Sequence, residues 1–169
     1  MMGLRNAAGV GVDELEAVYR SCYPRFLRVA TAIAGSEQSG GDAVQDAFVS
    51  ALRHRGQFQG RGTVESWLWS ILINAARGSR RIRQAVPSST DGPGQANARG
   101  DDEGALTDSV RLVVARLPER QRLALFLRYY ADLDYRAIAA ALGVKEGTVS
   151  ATLSAAHAAV RNSLVEVNR

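Results

Sequence analysis

The sequence predicts an all-α fold made of two small helical domains joined by a flexible linker. Apolar residues recur at helical spacing along most of the 169 residues, and no stretch alternates as a strand does. Between Gln84 and Gly104 the chain reads QAVPSSTDGPGQANARGDDEG, rich in glycine, holding two prolines and almost nothing large and apolar. Charge divides at the same boundaries: residues 12–83 carry +3, residues 84–104 carry −3 and residues 105–169 carry +3, within a total of +4. Two basic domains on an acidic tether result. The basic residues are almost all arginine, whose planar fork matches phosphate, so the balance permits a nucleic-acid partner without requiring one.

Residues 1–11 are small and Gly-rich and read as a disordered N-terminus. The first domain spans 12–83. A helix begins near Asp13 with Leu15, Val18 and Tyr19 inward, is interrupted or kinked at Pro24, and resumes through Phe26, Leu27, Ala30, Ile33 and Ala34 to Gly35. Ser36 to Gly41 reads as a loop, and Asp42 as the cap of a helix to about Arg53, with Gln45 completing a capping box. On that helix Ala43, Val44, Ala47, Phe48, Ala51 and Leu52 face inward, while Gln45, Asp46, Val49 and Ser50 project outward. Three glycines between Arg55 and Gly62 make a loop. Thr63 then caps a long helix to about Arg83, with Val64, Trp67, Leu68, Ile71, Leu72, Ala75 and Ala76 inward. Trp69 lies about 200° around from Trp67 and is assigned to the outer face.

Residues 84–104 form the tether and 105–169 the second domain. Leu106, Val110, Val113, Val114 and Leu117 make one stripe. Pro118 opens the next helix, lined by Leu123, Phe126, Leu127 and Tyr130. The last two helices have the signature of a helix-turn-helix. Asp134 caps Tyr135 to Leu142, Gly143 ends it, and Val144 to Gly147 turns the chain. Thr148 opens a helix whose Val149, Leu153, Ala156, Val160 and Leu164 share a face. Small Ala139 at the crossing and Val149 between the helices point to a DNA-reading unit.

Several function classes are disfavoured. Cys22 is the sole cysteine, so neither an internal disulfide nor a cysteine-based zinc site can form. It reads as a packing residue rather than a nucleophile, and His54 and His157 are too far apart in sequence to suggest a metal pair. No phosphate-cradling GxxxxGK, HExxH or G-x-S-x-G motif occurs, so the chain is not expected to be an enzyme and no cofactor is implied. No membrane span or signal-peptide pattern is seen, and a cytoplasmic location is expected.

Three blocks, GGDAVQDAFVSAL, FQGRGTVESWLWSILINAARGSRR and LPERQRLALFLRYYADLDYRAIAAALGVKEGTVS, resemble in order and spacing the extracytoplasmic-function group of bacterial sigma-70 RNA polymerase sigma factors. The resemblance runs from about Leu15 to Leu164, except for the linker. It implies a specificity subunit without chemistry of its own. Such a subunit takes core RNA polymerase to promoters and starts DNA melting, with an anti-sigma factor as a further candidate partner. By that resemblance Asp42, Gln45 and Asp46 bind the β′ clamp helices of core polymerase. Phe58, Arg61, Trp69, Asn74, Arg77, Arg80 and Arg81 meet the minus-ten element, and the second domain docks on the β flap and reads the minus-thirty-five element. The matching positions of that domain are Arg136, Lys145, Thr148, Ser150, Ala151, Thr152, Ser154, Ala155 and Arg161. The acidic tether matches the segment that threads toward the RNA exit path.

Two departures stand out. The family often places an Arg before the Asn of the melting helix, where this chain has Ile73. It also carries Lys or Arg at several positions after the Thr-Val pair, where this chain has Ser150, Ala151, Thr152, Ser154, Ala155 and His157, with Arg161 the first strong cation. A weak reader of the minus-thirty-five element is expected, helped electrostatically by Arg122, Arg128, Arg136 and Lys145; the alternative readings are a sigma-like interaction protein with weakened DNA reading and a stand-alone helix-turn-helix transcriptional regulator.

Overall fold

The computed structural model describes residues 9–60, 62–85 and 103–167, with the side chains of 83–85, 103–109 and 166–167 outside the description. In order, the helices are α1 (Val12–Ala34), α2 (Glu37–His54), α3 (Val64–Ala85), α4 (Glu103–Arg116), α5 (Glu119–Tyr129), α6 (Tyr135–Leu142) and α7 (Glu146–Val167), with a 3₁₀ turn at Arg55–Gln57. Among the described residues no strand occurs, and the all-α expectation holds.

Helices α1, α2 and α3 pack on one another, and α7 gathers α4, α5 and α6. The two groups also touch: α6 lies against α3 and α1 meets α5, so one buried apolar cluster runs through both. The linker expectation for 84–104 falls mostly outside the described residues.

α1 continues through Pro24 as a single, uninterrupted helix. Its N-terminal approach is ordered by Val10, which is buried and donates its N–H to the Arg55 carbonyl at 3.0 Å, so the disorder expected of residues 1–11 does not extend to it.

The start of α2 corrects the sequence reading. Ser36 is the N-cap, its hydroxyl accepting from the Ser39 N–H at 3.2 Å, and Asp42 lies exposed within the helix. Residues 37–41 are therefore helical rather than a loop. Gly40 explains why a glycine pair survives there: a Cβ on it would come within 2.5 Å of Thr31 Oγ1 and 2.7 Å of the Thr31 backbone nitrogen. The glycine lets α2 cross α1 closely. Gly41, one residue on, faces open space.

In the second group the reading is reproduced except that α7 begins at Glu146 rather than Thr148 and that Tyr130 is exposed. Ala137 N–H donates to Asp134 Oδ1 at 2.7 Å, which caps α6. Gly143 closes that helix at φ +65°, and the Val144 N–H returns to the Ala139 carbonyl at 3.0 Å. Ile138, Ala139, Val149, Leu153 and Ala156 are buried between α6 and its neighbours.

Candidate nucleic-acid interface

α3 carries the first half of the candidate interface. Thr63 caps it through Oγ1, which accepts from the Ser66 N–H at 3.1 Å. The buried residues Val64, Leu68, Leu72, Ala76, Trp69, Ile73 and Ser66 cover about 200° of its circumference at 100° per residue. The sequence reading placed the centre of this arc too close to Trp67. α1, α2 and α6 all pack on α3, and a helix with three neighbours buries more than one stripe.

The burial of the two tryptophans is consequently the reverse of the expectation. Trp69, assigned to DNA contact, has no exposed surface; it sits edge-on against Phe26 with ring centroids 4.5 Å apart, and its indole N–H donates to Glu65 Oε1 at 3.3 Å. Trp67, assigned to the core, is half-buried and lies against Phe58 at 5.5 Å. The aromatic pair at the Gly-rich loop is therefore Phe58 with Trp67. The Ile73 side chain is also buried, so the cation missing from that position would face a packed surface.

Asn74 and Arg81 are exposed, Arg77 and Arg80 are partly so, and Arg61 lies outside the described residues. Arg77 is engaged: its Nε and Nη2 donate to the two carboxylate oxygens of Glu119, each at 2.9 Å. Arg25 crosses the same boundary, donating from Nη1 to the Ala131 carbonyl at 2.8 Å while Nη2 lies 3.0 Å from Glu65 Oε1. Neither Glu119 nor Arg25 was singled out from sequence, because a contact across 42 or 106 positions leaves no local signal.

On α2, Asp42, Gln45, Asp46 and Val49 are all exposed and form an outward face. Beside it Val12, Glu16, Tyr19, Arg20, Phe48 and Leu52 line a groove of about 330 Å³. Burial pushes the Cys22 thiol above its usual pKa, which suits a packing residue.

α7 presents Ser150, Ala151, Ser154, Ala155 and His157 to solvent, with Thr148 and Thr152 half-buried and Arg161 exposed. The Thr152 hydroxyl donates to the Thr148 carbonyl at 2.7 Å, leaving its oxygen able to accept only. His157 does not stand alone: its Nε2 lies 2.8 Å from Tyr129 Oη, on a tyrosine that is 63% exposed. Arg136 and Lys145 are exposed beside α7. Arg122 and Arg128 donate to the Ala115 and Leu133 carbonyls, both at 2.9 Å, and so hold the chain between helices while keeping their charge. Burial, with Arg80 nearby, lowers the Arg122 pKa from its usual value.

The chain thus joins a helix with outer cations to a capped helix-turn-helix, and both halves match known families. Sigma-70 region 2 matches residues 18–85 and sigma-70 region 4 matches residues 107–160. The chain is 30% identical over 166 residues to the ECF RNA polymerase sigma factor SigM of Mycobacterium tuberculosis, covering 96% of this chain and 84% of that protein.

The chain belongs to the ECF RNA polymerase sigma factors.

It is also 30% identical over 138 residues to the ECF RNA polymerase sigma-E factor of Escherichia coli, covering 73% of this chain and 72% of the relative. Its fold is that of the sigma factor RpoE of Bartonella quintana, solved in complex with the anti-sigma factor NepR. The TM-score is 0.68 at 21% identity, over 94% of this chain and all of that one. As a member of this family the chain is an RNA polymerase sigma factor acting in DNA-templated transcription initiation. Sigma factors bind core polymerase and promoter DNA, and they are generally non-enzymatic initiation factors. Among the described residues no helix is long and apolar enough to cross a membrane.

Proposed function

We propose that residues 12–83 dock core polymerase through the outward face of α2 and melt the minus-ten element. Residues 105–169 then read the minus-thirty-five element weakly, and residues 84–104 tether the two. Asp42, Gln45 and Asp46 meet the β′ clamp helices. Phe58 and Trp67 supply aromatic faces for an unstacked base, while Arg61, Asn74, Arg77, Arg80 and Arg81 track the backbone. Substituting protein contacts for lost stacking is what an opening base pair requires, and the half-buried Phe58–Trp67 pair beside a glycine-rich loop is the observation that carries this reading.

Arg136, Lys145, Thr148, Ser150, Ala151, Thr152, Ser154, Ala155 and Arg161 make up the reading surface of the second domain. Its outward face holds no lysine or arginine between Lys145 and Arg161, so phosphate contacts are few and the polymerase must hold the domain in place. The chain acts without catalysis of its own, in the cytoplasm. An anti-sigma protein, the kind of partner present in the Bartonella quintana complex, is a further partner. The cation-poor face of α7 also supports a second reading: a sigma-like interaction protein that binds polymerase but reads DNA poorly.

Permanganate footprinting of promoter complexes separates the two. Phe58→Ala and Trp67→Ala should each abolish reactive thymines in the minus-ten element while leaving core binding intact. A wild-type holoenzyme that binds core normally yet protects no promoter would establish the second reading instead.

A further inference from the structure

One side of the outward face of α7 is completed from another helix. Ser150, Ser154, His157 and Arg161 recur at i, i+4, i+7 and i+11, which puts them within about 60° of one another at 100° per residue, and all four are exposed. Tyr129, the last residue of α5, stands beside this stripe. Its Oη lies 2.8 Å from His157 Nε2, and the two rings meet edge to face with centroids 5.9 Å apart. The tyrosine is 63% exposed and the pair spans 28 positions, so the bond joins two surface side chains from separate helices.

Water would satisfy either group alone, and holding both in one geometry costs rotamer freedom. What the bond adds is direction. With the phenol donating to Nε2, a neutral imidazole carries its single proton on Nδ1. A hydrogen bond to one ring nitrogen is the usual way to fix the tautomer and orientation of a histidine that presents its other nitrogen to a ligand.

We infer that Tyr129 and His157 form a two-helix phosphate site on the second domain. The imidazole Nδ1–H donates to a backbone phosphate of duplex DNA, and Tyr129 is the positioning residue. This rests on the proposed placement of α7 against the minus-thirty-five element. The stripe offers two hydroxyls, an imidazole and a guanidinium and holds no carboxylate, which suits an anion. Position along the helix selects phosphate over a base edge. A recognition helix reads bases with its first residues, whereas His157 stands eleven residues beyond Glu146, about 16 Å along the axis. A neutral donor releases no counterion, so this contact persists as salt rises, unlike the cation it replaces.

The test uses holoenzyme assembled from the full chain and core polymerase, on a promoter duplex that the wild type transcribes. Single phosphates in and around the minus-thirty-five element are replaced in turn by uncharged methylphosphonate. Wild type should lose about five- to tenfold in affinity at the contacted phosphate, the worth of one hydrogen bond to a charged group. His157→Ala should bind the unmodified duplex about fivefold less tightly and become insensitive at that one phosphate while keeping its sensitivity at the others. Tyr129→Phe keeps the ring and should weaken binding about two- to threefold, with no further effect in the His157→Ala background. His157→Arg should restore the contact and steepen the salt slope by about 0.9.

A phosphate profile unchanged by His157→Ala would overturn the inference and leave α7 against the DNA. A loss spread evenly over all phosphates would mark a displaced helix rather than a lost contact, and would overturn it as well. An equal effect of Tyr129→Phe with and without His157 would overturn the positioning role. Wild type that is insensitive at every phosphate of the minus-thirty-five element would instead overturn the proposed placement of α7, and the inference with it.

Discussion

Trp69 lies edge-on against Phe26, centroids 4.5 Å apart at an interplanar angle of 75°, with none of its surface exposed. The pair locks α3 to α1, and Arg25 and Glu65 lie beside it through the indole bond and the ion pair. A tryptophan in that position holds α3 in place and has no surface to offer a ligand. Trp69→Ala should therefore cost about 3–5 kcal/mol of stability. Trp67→Ala, half-buried at the loop, should cost less and act on promoter opening instead. Thermal denaturation of the two variants, paired with footprinting, checks both halves.

Much of the fold was legible because its punctuation is local. Asp134, Gly143 and Thr63 each carry out the role their residue type suggests within three or four positions. Periodicity placed Val149, Leu153 and Ala156 inward for the same reason. The errors came where a distant element decides. Trp69 reads as outward because a single stripe of α3 accounts for the sequence pattern, whereas three helices pack on it. Gly40 looked like a loop residue because Thr31, which requires its missing Cβ, lies on another helix. Arg77 looked free for phosphate because Glu119 is 42 positions away.

The two adjacent glycines of α2 should respond oppositely. Gly40→Ala would push a methyl group into the Thr31 backbone at 2.7–2.8 Å, and the overpacking should outweigh the helix-propensity gain, for a net loss of about 1–2 kcal/mol. Gly41→Ala meets open space and should gain about 0.5–1 kcal/mol. Denaturant midpoints of the two variants, measured side by side, would show the divergence.

The cap of α6 offers a third check. Asp134→Ala removes the acceptor of the Ala137 N–H, bonded at 2.7 Å, and should cost about 1 kcal/mol. Asp134→Asn should retain most of it. Chemical denaturation resolves a difference of this size.

On α7, the exposed positions Ser154 and Ala155 can accept a cation without disturbing the core. Ser154→Arg or Ala155→Arg should tighten duplex binding by holoenzyme and steepen the salt slope by about 0.9 for each phosphate gained. The dependence of affinity on salt, compared between wild type and variant, reads this out. No change in slope would mean that this face does not lie along the DNA backbone.

As a sigma factor, this chain confers promoter specificity on core polymerase. Runoff transcription on a randomised promoter library, followed by sequencing of the transcribed templates, tests it most directly. A short recurrent minus-ten motif with a weaker preference about 25 base pairs upstream is the predicted result. Core binding with no enriched motif at either element would contradict it.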